Sequence, residues 1–174
     1  MITSFNLFET ERLIVRQYTL QDEEFFYQFS SNQDVMRYIR PIVNREESAR
    51  LLALNMQLYL SRPNTGRWAI FNKATGGYMG SFSILEMDID KTKLHIGYAL
   101  LPQFWGMGYA TEVLERGIAF FFASHTSQLV YAVTEDANTA SQRVLLKCGF
   151  IYQGCQKEKD KELMIFTLQR NKYK

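Results

Sequence analysis

Apolar and polar positions along the chain switch between the two-residue period of strands and the 3.6-residue period of helices. Residues 13–18 read as a first strand. Thr19 and Asp22 have the spacing of a capping box, opening a short helix whose Phe25, Phe26 and Phe29 are expected to face inward. Asn44 with Glu47 starts a second helix. Leu51, Leu54 and Leu58 recur on one face of it up to about Leu60, before Pro63, Asn64, Thr65 and Gly66 stop it. Residues 67–72 and 78–86 are strands joined by a Gly-containing hairpin at 73–77. A further strand, 93–101, ends at Pro102, which cannot donate to a ladder.

A helix then runs from about 108 to 123, with Ala110, Val113, Leu114, Gly117, Ile118 and Phe121 sharing one face. Glycine costs roughly 1 kcal/mol inside a helix, so Gly117 is expected to permit close packing on a sheet. Residues 129–134 form another strand, 139–148 a helix closed by Gly149, and 150–156 with 163–169 an antiparallel pair. This order predicts an α/β fold of the α+β type over a single domain, 1–174. Its mixed, mainly antiparallel twisted sheet has about seven strands and helices on both faces.

Composition adds exclusions. Hydrophobic residues make up 47% of the chain, with 13 Phe and 10 Tyr, which supports a packed core over disorder. The longest apolar stretches, such as 118–123, are too short for a membrane span. No basic segment followed by an apolar one marks a signal peptide. The scattered net charge of +2 argues against nucleic acid as a partner. Cys148 and Cys155 form neither a CxxC pair nor a ligand cluster with the two histidines, so no metal is expected. Free thiols fit a reducing cytoplasm.

The chemistry concentrates between residues 94 and 112: a strand, a turn holding Gly106 and Gly108, and a helix start. The first turn of a helix has N–H groups without intrahelical partners, and the macrodipole adds partial positive charge there. Glycines let phosphate oxygens approach the backbone, so the segment is anion-friendly. No lysine follows them, which excludes a Walker A loop. Thr111 stands where a dinucleotide fingerprint needs a third glycine, and Ser127 and Gln128 stand near where it needs an acid.

Gln103-x-x-Gly106-x-Gly108 resembles the pyrophosphate motif of the GNAT acetyltransferase superfamily. Ile96-Gly97-Tyr98 followed by Trp105-Gly106-x-Gly108-Tyr109-Ala110-Thr111-Glu112 is similar to its RimJ/RimL-type branch. Residues 9–16, 68–81 and 138–150 fit in register, so the resemblance spans about 8–168. It implies a strand that carries a bulge and splays from its neighbour, with acetyl-CoA in the resulting V. Tyr98, Ala99, Leu100 and Leu101 then line the pantetheine arm with backbone groups. One N–H among them polarises the thioester carbonyl. Backbone groups of Gln103, Phe104, Trp105, Gly106, Met107, Gly108, Tyr109 and Ala110 hold the pyrophosphate, and Asn138 and Ser141 lie near the thiol.

The implied function is N-acetylation of a primary amine by direct transfer in a ternary complex. The branch points to a protein N-terminal α-amine, such as that of a ribosomal protein. A small-molecule amine or antibiotic is the alternative acceptor, and a non-catalytic acyl-CoA sensor the alternative class. A homodimer is a family-level expectation. An ammonium must lose its proton first, which at pH 7 costs roughly 1.4 kcal/mol for an α-amine and about 4.6 for lysine. His95, where the branch often carries Glu, is the candidate base, and Glu162 a weaker one. Many members carry a Tyr acid at the position of Leu145, so Ser141 is left as the hydroxyl that orients the thiol. Cys148, at a helix end, reads as a small buried hydrophobe rather than a nucleophile.

Overall fold

The chain folds into strands β1 (Asn6–Glu9), β2 (Leu13–Gln17), β3 (Gly66–Asn72), β4 (Tyr78–Met87), β5 (Asp90–Leu100), β6 (Leu129–Glu135), β7 (Ile151–Glu158) and β8 (Lys161–Gln169). Helices are α1 (Glu23–Ser30), α2 (Gln33–Met36), α3 (Arg45–Ser61), α4 (Tyr109–Ser124) and α5 (Thr139–Lys147). This computed structural model describes residues 5–88, 90–158 and 161–173. The strands form one sheet in the order β1-β2-β3-β4-β5-β6-β8-β7. Every neighbouring pair is antiparallel except β5 and β6. The strand beyond the expected seven is β1, four residues with too little alternation to read from sequence.

Side chains sort by parity along the strands, except that a register shift at Ile70/Phe71 opposite Gly80 and Tyr78 puts Tyr78 on the other face. Trp68, Ile70, Phe82, Ile84, Ile96 and Leu100 pack with Val113, Leu114 and Ile118 of α4 and Leu145 of α5. On the opposite face Ala69, Phe71 and Tyr78 meet Phe26, Phe29, Met36 and Leu52 from the first three helices. Gly117 faces the sheet as expected: a Cβ there would lie 2.4 Å from the Phe82 ring. Among the described residues no helix is long and apolar enough to cross a membrane.

Local signals set the helix starts. Asn44 Oδ1 accepts the Glu47 N–H at 2.9 Å, and Asn138 Oδ1 the Ser141 N–H at 3.2 Å. The Asp22 carboxylate accepts from the Thr19 N–H at 2.8 Å and takes both Arg16 guanidinium bonds at 2.8 Å. Two expectations need correction. Phe25 is 38% exposed and lies flat on Tyr78, with ring centroids 5.3 Å apart. The buried face of α3 is Ser48, Leu52, Asn55 and Tyr59, while Leu54 and Leu60 point to solvent. The leucine repeat misassigned that face because its buried stripe is half polar, held by hydrogen bonds: Ser48 Oγ meets Ser30 Oγ at 2.9 Å, and Asn55 binds the backbone of Arg67.

Candidate functional site

The parting of β5 and β6 creates the site. Antiparallel pairing of β4 with β5 runs unbroken from Gly80↔Leu100 to Glu86↔Leu94. Parallel pairing of β5 with β6 is limited to His95↔Tyr131. Beyond that pair the strands diverge and leave a V. The implied splay is therefore present. The irregularity between β4 and β5 lies at Glu86/Met87, however, and not at the V.

Hydrogen-bond alternation shows what faces the opening. The Leu101 N–H donates to the Met79 carbonyl at 2.8 Å, so residues 97 and 99 also bond β4. The N–H groups of Tyr98 and Leu100 then point toward β6, where no strand pairs with them. The Leu100 carbonyl on the same edge is taken by Trp105 Nε1 at 2.7 Å. Trp105, itself 51% exposed, thus braces the turn at the open end of the V.

That turn leads into α4. Gly106 and Gly108 sit at φ +73° and +82°, the left-handed region that a Cβ disfavours. A Cβ on Gly106 would meet nothing within 4 Å, so the loop is open to a ligand. Among the described residues, the N–H groups from Gly106 to Thr111 have no protein acceptor; the first helical bond is Glu112 N–H to the Gly108 carbonyl. Gln103 is exposed. Phe104 is half-buried against both apolar clusters, with its ring edge toward Tyr109.

A clamp that sequence reasoning missed fixes this loop. Glu112 accepts from Thr10 Oγ1 at 2.5 Å, from the Arg12 N–H at 2.9 Å and from the Arg12 guanidinium at 2.6 Å. Burial pushes the Glu112 carboxyl up, but these hydrogen bonds outweigh it and hold it below its ordinary range. Arg12 also donates to the Met107 carbonyl at 3.2 Å and lies over the Tyr109 ring. Glu112 alone reads as a partner of the helix dipole; its tie to the β1–β2 turn is a long-range contact without a sequence signature.

A groove of about 770 Å³ passes through the V from one sheet face to the other. On the α5 side it meets Tyr98, Asn138 and Ser141. The Tyr98 hydroxyl lies 3.5 Å from Ser141 Oγ. Burial raises the Tyr98 phenol to about 12, so it stays a hydrogen-bond donor. Leu145 is buried beneath them and places only an aliphatic surface there. On the opposite side the groove is lined by Ser81, Ser83, His95, Arg67 and Arg40. His95 is half-buried, and its pKa is lowered to about 4, first by desolvation and then by the Arg67 cation. It is a neutral imidazole at pH 7.

Two further candidates are not placed to react. Burial raises the Cys148 thiol to about 11, which makes it inert, and Glu162 is exposed on β8. Ala99 lines the groove, Leu101 is buried at the end of β5, and Ala110 begins the face of α4 that packs on the sheet.

Comparison with known proteins agrees with this architecture. A family model described as an acetyltransferase (GNAT) domain matches residues 12–151. The uncharacterized N-acetyltransferase YoaA of Bacillus subtilis is 31% identical over 86% of this chain and 85% of its own. Among solved structures, RimL, a ribosomal L7/L12 alpha-N-protein acetyltransferase in complex with coenzyme A, superposes with a TM-score of 0.82 at 17% identity, covering 97% of this chain and 99% of its own. Spermidine N-acetyltransferase from Vibrio cholerae, in complex with CoA and spermine, gives 0.77 at 16% identity, covering 92% and 97%. At such identities these two likenesses speak to the fold.

Proposed function

This chain belongs to the GNAT acetyltransferase family, and we propose that it transfers an acetyl group from acetyl-CoA to a primary amine within a ternary complex, with the donor in the V between β5 and β6. One observation carries this reading: the strands part beyond His95↔Tyr131 and leave the N–H groups of Tyr98 and Leu100 unpaired beside a groove that crosses the sheet. The residues present fit the donor. Unpartnered N–H groups from Gly106 to Thr111 suit its pyrophosphate, and the backbone edge of β5 suits the amide-rich pantetheine arm.

Acetyl-CoA supplies an activated thioester. The chain's own groups do the rest. A β5 N–H donates to a carbonyl oxygen as negative charge develops there, a preorganised interaction that strengthens on the way to the transition state. Tyr98 and Ser141 offer hydroxyl donors near the thiol end. A thiolate with a parent pKa of ~8.5 needs orientation more than protonation. His95 accepts the amine proton. Its depressed pKa guarantees a free lone pair at pH 7 but makes it a weak base; an anion beside Arg67 would offset part of that depression. Most of the rate enhancement then comes from positioning two substrates on opposite sides of the V.

The RimJ/RimL-type motifs support a protein N-terminal α-amine as acceptor ahead of a small-molecule amine. The test is acceptor-dependent release of free thiol from acetyl-CoA across peptides and small amines. Release with at least one primary amine is expected. Tight acetyl-CoA binding with no release for any amine would leave a sensor, not an enzyme.

A further inference from the structure

The amine side of the groove carries two cations without a contact ion pair, Arg67 and Arg40, of which Arg40 feels only the more distant Glu47 carboxylate. Arg67 stands on β3, its backbone gripped by the polar face of α3. Asn55 accepts the Arg67 N–H at 2.8 Å and donates to its carbonyl at 2.9 Å, and the Tyr59 hydroxyl donates to the same carbonyl. The root of the side chain is thereby fixed. Arg40, in the segment after α2, lines the same groove close enough for the two guanidinium charges to repel. Among the described residues no carboxylate lies within ion-pair distance of either. Other groove cations are matched: Arg62 with Glu86 and Lys161 with Glu135.

The floor between Arg67 and the V is kept low. Arg67, Ser83 and Gly97 are in register across β3, β4 and β5, and so are Ala69, Ser81 and Ala99. Apart from Arg67 these residues are small, and Gly97 could carry no Cβ without coming within 2.8 Å of Ser83 Oγ. Two strand spacings separate the Cα atoms of Arg67 and Gly97 by about 10 Å, and the arginine side chain spans part of that. A ligand reaching from the V to the guanidinium therefore needs only a few bonds.

Desolvation works against both half-buried guanidinium charges, and a cation held out of water without a contact partner is unfavourable until an anion meets it. We propose that Arg67 and Arg40 form an anion site within the acceptor pocket, selecting an amine whose side chain, or whose neighbouring residue's side chain, carries a carboxylate. The guanidinium fork suits a carboxylate bidentately, and the same charges oppose a polyamine. This inference rests on reading the groove as the amine site. A free acidic amino acid and the acidic N-terminus of a peptide share the required chemistry.

Calorimetry on the CoA-bound protein tests it, using glutamate, aspartate and the dipeptide Ser-Asp, each against its side-chain carboxamide, together with spermidine. Thiol release is measured on the same panel. At least one carboxylate should bind about 10-fold tighter than its amide, and a dipeptide that outbinds the free acids would identify a peptide source. Arg67→Gln and Arg40→Gln should each weaken carboxylate binding by about 30-fold, with acetyl-CoA affinity unchanged. If Arg67→Gln does not fold, Arg67→Lys and Arg40→Gln decide, with the lysine variant intermediate. Equal binding of acid and amide, preference for spermidine, no binding of any carboxylate, or variants that bind like the parent would each overturn the anion site. Arginine-dependent carboxylate binding without thiol release from any amine would keep the anion site and remove acetyl transfer. Release with spermidine alone would do the reverse.

Discussion

At the scale of single residues, His95 departs most from what sequence suggests. Its place beside Ile96-Gly97-Tyr98 was readable, and it lines the groove. Its proton affinity was not readable, because Arg67 sits two strands away in the sheet and burial is a tertiary property. An NMR titration should give an imidazole midpoint near 4 in place of 6.5, and Arg67→Gln should move it upward. The unfolded imidazole titrates at about 6.5 and so takes up its proton first as pH falls. The stability contributed by neutral His95 is thus complete above about 6.5 and lost between there and about 4. Tyr98 was legible as a backbone element only. Its hydroxyl beside Ser141 emerges from the meeting of β5 with α5. Tyr98→Phe should lower kcat about 5-fold and leave acetyl-CoA affinity intact, as removal of one hydrogen bond predicts. An unchanged kcat would confine that hydroxyl to packing.

At the scale of elements, caps and breakers were legible because they are local. Asn44, Asn138 and Gly149 act where the chain places them. Asn44→Ala should cost about 1 kcal/mol in denaturant unfolding. The face of α3 was not legible, since its buried Ser48 and Asn55 answer to partners on α1 and β3 that no helical period encodes. Gly117 was legible as an oddity whose cause the sheet supplies. Gly117→Ala brings a methyl group into the Phe82 ring, so despite the better helix propensity of alanine it should destabilise by about 1–3 kcal/mol. A gain in stability would mean that α4 can lift from the sheet without loss.

At the scale of the molecule, the mixed sheet and its two helical faces followed from the order of elements. Two features did not: the insertion of β8 between β6 and β7, and the length over which β5 and β6 stay together. Strand pairing between distant segments leaves little local trace, yet that single pair sets the V, the free N–H groups and the groove. In the proposed complex the donor's pyrophosphate sits at the start of α4, at the open end of this V. Isothermal titration of acetyl-CoA into the parent chain and Gly108→Val tests it most directly. Gly108 holds φ +82° at the exposed cap of α4, where a branched side chain disturbs the phosphate cradle and not the core. The parent should bind at one site, and the variant should lose at least about 30-fold in affinity with its unfolding midpoint still cooperative. Equal affinity in the two proteins, or no binding to the parent, would contradict the account.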